Sequence, residues 1–228
     1  MRKQTKNKKG FSLVEMVLAI AIIVLIGGVI AGICASISNS FITTYNIDDS
    51  TDYAMLYARG FENSFLAYSQ AKNQSIGNGY TWYIKDAQGL SNTVPTLTVT
   101  TGGGDEAVFN PQFLGKDDPS GKSKWNVTMF YKYEPGTTCV LYRIFIKDNY
   151  DNGVITRYDG SFWIPRIEEC AKFDGVGTGR TVETPTTDDH KLSTTNMKDK
   201  YGYTDDDITQ IAGGIDETYS DTITFVWG

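Results

Sequence analysis

From Met16 to Ala35 the chain reads MVLAIAIIVLIGGVIAGICA, and no charged residue falls between Met16 and Ile47. Twenty helical residues at about 1.5 Å each span roughly 30 Å, the thickness of a bilayer's hydrocarbon core. The run predicts a membrane-crossing helix. Beyond it the helical period persists, but only one side stays apolar. Tyr53, Tyr57, Phe61, Phe65 and Tyr68 recur every three or four positions, while Asp48, Asp49, Asp52, Arg59, Glu62 and Lys72 fill places between them. This predicts an amphipathic helix over residues 39–73, its aromatic stripe covering a sheet.

After residue 73 the period drops to two. Tyr80–Lys85, Thr96–Thr101, Ala107–Leu114, Trp125–Tyr133, Thr138–Lys147, Val154–Ile164 and Thr222–Trp227 are rich in β-branched and aromatic residues and read as strands. The clearest hairpin joins Leu141–Lys147 to Val154–Tyr158 through a turn rich in Asp, Asn and Gly. Residues 174–206 carry few large aliphatics and many Gly, Thr and Asp, which predicts a long exposed loop. The expected fold is α+β: a long N-terminal helix packed on an antiparallel sheet, with residues 74–228 forming a β-rich domain.

Charge divides the same way. Arg2, Lys3, Lys6, Lys8 and Lys9 stand among the first ten residues with no acid, although the whole chain carries a net charge of -6. The remainder is therefore strongly acidic, at -11. Positive residues before a spanning helix stay on the cytoplasmic side, so the β-rich domain is expected outside. An acidic domain is a poor match for nucleic-acid phosphates, and no nucleic-acid partner is predicted.

Three readings compete for the apolar run. A secretory signal peptide has a shorter core and a small-x-small cleavage site; here the run is long, and Ile33 precedes Cys34. A plain anchor explains length and orientation, but not Glu15 or the abrupt Gly10-Phe11 junction. A carboxylate inside a membrane-spanning segment costs about 2.5–3.5 kcal/mol at the helix centre and less near an end, so Glu15 calls for a function.

The third reading is a resemblance. Lys8-Lys9-Gly10-Phe11-Ser12-Leu13-Val14-Glu15, followed at once by the apolar helix, resembles the class III signal of type IV prepilins and pseudopilins. It covers roughly residues 2–40. It implies a leader peptide over 1–10, an assembly helix over 11–38, and cleavage between Gly10 and Phe11 by a membrane prepilin peptidase. It also implies N-methylation of Phe11. Glu15 becomes the fifth residue of the processed chain, where its carboxylate would meet the Phe11 ammonium of a neighbouring subunit, each offsetting the other's burial. The partners implied are sibling pilins, an inner-membrane platform protein and, through it, an assembly ATPase. The location implied is the cytoplasmic membrane, then the cell surface in a filament. The resulting reading is a structural subunit, minor rather than major, of a type IV pilus or of a pseudopilus for secretion or DNA uptake. The alternative is a membrane-tethered binding module that does not polymerise.

Other chemistry is sparse. Cys139 and Cys170 fall in the outer domain, where they form either a disulfide or two buried thiols. Asp148, Asn152 and Asp159 faintly echo a calcium loop, but Tyr150 occupies a ligand position and strands flank the turn. The stronger expectation there is a hairpin turn without a cofactor. Asp205-Asp206-Asp207 reads as a solvated acidic turn. His190 is the sole histidine, so any histidine-based catalytic group must use it. Nothing marks a nucleophile beside it, and the chain is not expected to be an enzyme.

Overall fold

A computed structural model describes residues 13–70, 79–87, 94–110, 124–134, 137, 139–149, 155–164, 180–185 and 187–227. Helix α1 runs Leu13–Gln70. The chain divides into two compact units, Met1–Asn46 and Ile47–Gly228. In the first, α1 is apolar on every side.

In the second unit, α1 buries one face. Ser50, Ala54, Tyr57, Ala58, Phe61, Phe65 and Ser69 are buried, at spacings of one, three or four. The aromatic stripe thus covers strands as the periodicity predicts. Those strands form two antiparallel sheets rather than one. Strands β1 (Gly79–Lys85), β2 (Thr96–Thr101), β3 (Gly104–Phe109), β7 (Arg180–Glu183) and β8 (Ile223–Trp227) make a five-stranded sheet in the order β3-β2-β1-β8-β7. Strands β4 (Trp125–Glu134), β5 (Cys139–Asp148) and β6 (Ile155–Trp163) make a three-stranded sheet in sequence order. Gly102-Gly103 links β2 to β3 through a tight turn closed by the Thr101–Gly104 pair, and Gly104 takes a φ of 117°.

Phe61 joins the layers. Its ring meets Trp82 of the larger sheet and Tyr131, Tyr142 and Phe162 of the smaller one, with centroids 4.7 to 6.5 Å apart. One residue earlier, Gly60 lets β3 approach the helix: a Cβ there would stand 2.9 Å from the Cβ of Phe109. The Tyr142 hydroxyl donates to Glu62 Oε1 at 2.6 Å, giving the phenol a partner at the helix surface.

The expected exposed loop over 174–206 is corrected where residues are described. Residues 180–183 are β7, and two short helices follow, α2 (Thr194–Asp199) and α3 (Asp205–Ile211). Leu192, Met197, Tyr201, Tyr203 and Ile211 are buried against Phe130 and Phe145, forming a second core on the other face of the small sheet. Isolated large side chains among polar residues carry this packing, so average composition hides it. Local hydrogen bonds set the helix starts. Ser193 caps α2, and Thr204 with Asp207 forms a reciprocal capping box on α3. Asp207 is therefore not part of a solvated turn: it is buried and pairs with Lys147 of β5.

Candidate functional site

The apolar stretch Leu13–Phe41 has a mean hydropathy of 3.0, and its side chains lie exposed within the chain. Leu13 and Leu25 each expose about 70–80% of their surface, as does Phe41. A stable soluble domain seldom leaves so large a continuous apolar surface in water. A lipid phase or packed neighbours of the same kind satisfy it. Glu15 lies in the first turn of α1 and is the sole acidic residue from Leu13 to Ile47. Serines on the helix resolve their own polarity: the Ser40 hydroxyl donates to the Ser36 carbonyl at 3.0 Å.

The glycines in this stretch differ from Gly60. A Cβ at Gly27, Gly28 or Gly32 would meet nothing within 4 Å. Each glycine weakens a helix by about 1 kcal/mol relative to alanine. Among the described residues, nothing uses the space they leave.

Residues 5–35 match the family model for the prokaryotic N-terminal methylation motif. The chain carries a class III prepilin signal. That signal is the one found on type IV pilins and pseudopilins, and here it runs into an α+β domain of pilin-like arrangement. No curated protein and no solved structure matches the chain. Of the residues to which the prepilin resemblance gives a role, Glu15 lies in the first turn of α1, and Gly10 and Phe11 lie outside the described residues.

The remaining sequence candidates are dispersed. Cys139, at the start of β5, carries a buried thiol that burial holds above the usual range. Cys170 lies outside the described residues, so their pairing stays an expectation. The weak calcium set is pulled apart by the β5–β6 register. Asp148 ends β5, is buried and lies 3.8 Å from Lys124. Asp159 sits opposite Arg143, well along the ladder, and accepts from both Arg143 and Arg157. Their guanidinium groups hold its carboxyl below the usual range although its desolvation acts the other way. Asn152 lies outside the described residues.

His190 is the candidate that structure changes most. Its Nδ1 is 2.6 Å from Asp221 Oδ1. Asp221 is buried just before β8, and its other oxygen accepts from Lys200 and, at 2.5 Å, from the Tyr201 hydroxyl. Main-chain bonds bring the pieces together: Asp221 N donates to the His190 carbonyl, and Leu192 N to that of Tyr219. Sequence reading missed this cluster because its members lie on three segments and share no motif. Among the described residues no hydroxyl or thiol hydrogen-bonds the histidine, so the nucleophile–base contact of a hydrolase is not formed there.

Proposed function

We propose that this chain is a structural subunit, of the minor kind, in a type IV pilus or pseudopilus. The observation that carries the reading is the continuity of the methylation motif over 5–35 with an exposed apolar helix that bears one carboxylate, Glu15, at its start. A tether needs the apolar length alone. A polymerising helix also needs a buried polar contact that fixes its register against a neighbour, and Glu15 opposite a processed Phe11 ammonium supplies one. Gly27, Gly28 and Gly32 support the same reading, because small residues let helices of different subunits approach closely.

In this reading, residues 1–10 are removed on the cytoplasmic side, Phe11 is methylated, and residues 11–38 are the membrane and assembly helix. Residues 39–73 continue onto the domain, which stands outside the cell. Release from the membrane into the filament uses the platform protein and its ATPase.

The test is intact-mass and N-terminal analysis of membrane-extracted protein, made with and without a co-expressed prepilin peptidase. A processed chain beginning at methylated Phe11 supports the proposal. A chain that keeps residues 1–10, beside a control substrate that is fully cleaved, overturns it and leaves a membrane-tethered module.

A further inference from the structure

The apolar stretch of α1 is longer than the core of a bilayer is thick. Leu13–Phe41 is 29 residues, about 43 Å of helix against a hydrocarbon core of about 30 Å. Hiding all of it by tilting takes roughly 45° from the membrane normal, beyond the usual range of about 0–40°. One end or both must therefore stand among lipid headgroups.

The side chains decide which parts do so. From Met16 to Ala35 there is no charged, hydroxyl or amide side chain, and Glu15 stands immediately before that run. Directly after it come Ser36, Ser38, Asn39 and Ser40. A serine can return its hydroxyl to the helix, as Ser40 does to the Ser36 carbonyl. The Asn39 amide carries two donor hydrogens and an acceptor oxygen, more than one such bond satisfies, which makes hydrocarbon a poor surrounding for it. The same turns carry large exposed side chains. Ile37, Phe41 and Tyr45 follow one another at four-residue steps along one side of α1, and Phe41 is 72% and Tyr45 67% exposed. Helical side chains lean back over the turn before their own Cα. By that lean the Phe41 ring falls just past the end of the run, and the Tyr45 ring one turn further out. A ring with an apolar body and a hydroxyl tip suits the boundary where hydrocarbon gives way to headgroups.

We propose that Phe41 and Tyr45 anchor α1 in the lipid headgroup layer at the C-terminal end of its span, so that Met16–Ala35 alone fills the hydrocarbon. Those residues make about 30 Å of helix. This register puts Glu15 at the opposite boundary, where headgroups and water still solvate its carboxylate. Insertion then avoids most of the penalty for a charge at the bilayer centre. In the proposed subunit, Glu15 loses its water only when a neighbour packs against it. The inference rests on the membrane-spanning part of the reading above and needs neither cleavage nor polymerisation.

The test measures depth. Full-length protein is reconstituted into phosphatidylcholine vesicles whose acyl chains carry bromine, a fluorescence quencher, either near the headgroup or near the bilayer centre. Tryptophan is introduced singly by Ile26→Trp, at the middle of the run, by Phe41→Trp and by Tyr45→Trp, and the emission of the native chain with its 4 tryptophans is subtracted. Central bromine is expected to quench Ile26→Trp most and shallow bromine Phe41→Trp most, with Tyr45→Trp quenched more weakly and by shallow bromine alone. Phe41→Ala with Tyr45→Ala should weaken the preference of Ile26→Trp for central bromine. Central bromine acting most strongly on Phe41→Trp or Tyr45→Trp overturns the proposal and leaves the span standing. So does a Tyr45→Trp emission that neither bromine reaches, or an Ile26→Trp preference that the double alanine change leaves intact. An Ile26→Trp emission untouched by either lipid overturns the membrane span itself, and this inference with it.

Discussion

Gly160 lies directly beneath the ring of Tyr142. The two are cross-strand partners in the β5–β6 ladder, and a Cβ on Gly160 would stand 2.3 Å from Tyr142 Cζ. The glycine leaves room for a ring whose hydroxyl then reaches Glu62 on α1. Gly160→Ala should destabilise the chain by about 1–3 kcal/mol, because the ring must leave its place or the strands must part. Thermal unfolding of the detergent-solubilised protein measures this. Pairing the change with Tyr142→Ala should recover part of the loss, since the clash and the ring disappear together.

Phe61 should be the costliest position on the helix. It is fully buried and bridges both sheets, so Phe61→Ala removes contacts to each and leaves a cavity. A loss of about 3–5 kcal/mol is expected. Tyr53, on the same stripe but only partly buried, should lose less on the same truncation.

Asp207 gives the domain an acid limit. Its carboxyl is held below its ordinary value of 3.8: burial alone would raise it, and bonds from Lys147 and from Thr204 together outweigh that. A depressed folded-state value stabilises above the unfolded value, and that contribution is lost as pH falls through the folded one. Stability measured from pH 6 downward should therefore fall below about 3.8 in the native chain. Asp207→Asn should cost about 1–3 kcal/mol at neutral pH and flatten that acid dependence.

The role proposed for Glu15 separates anchoring from assembly. Glu15→Leu should leave membrane insertion intact, or favour it, since it removes a charge from an apolar segment. Incorporation into sheared filaments should fall steeply. Equal incorporation of variant and native chain, measured by immunoblot of the filament fraction, would show that the carboxylate has no part in packing.

The sequence showed the framework because its signals are periodic. The aromatic stripe from Tyr53 to Tyr68 and the alternating strands at residues 80–85, 96–101 and 125–133 each repeat over enough positions to be read. The division into two sheets was not legible, because strand order depends on pairings between distant residues such as Gly79 with Val226. The second core was hidden for another reason. Strand β4 is buried on both faces, so Asn126, Thr128 and Phe130 meet the α2 segment while Val127, Met129 and Tyr131 meet the helix layer. Asn126 donates to the Tyr201 carbonyl at 3.0 Å, and Thr128 bonds the Tyr203 hydroxyl at 3.2 Å. Polar residues bonded inward in this way look solvent-facing in a sequence. The expectation for Glu15 comes from motif alone, whereas the His190–Asp221 pair needed the fold to bring two loops together.

Strand β8 is the last described strand of the chain, yet it sits between β1 and β7 near the centre of the five-stranded sheet. A polypeptide delivered across a membrane in sequence order would present β1 long before its second neighbour arrives. One edge of β1 and the matching edge of β7 must wait open, with unpaired amides exposed to any other passing strand. In the proposed export, the interval between emergence of residue 85 and arrival of residue 223 is therefore when the chain is most open to proteases and to aggregation. A chaperone acting on it would have to hold that gap, and a chain cut short before β8 would be recognisable as incomplete by the same open edges.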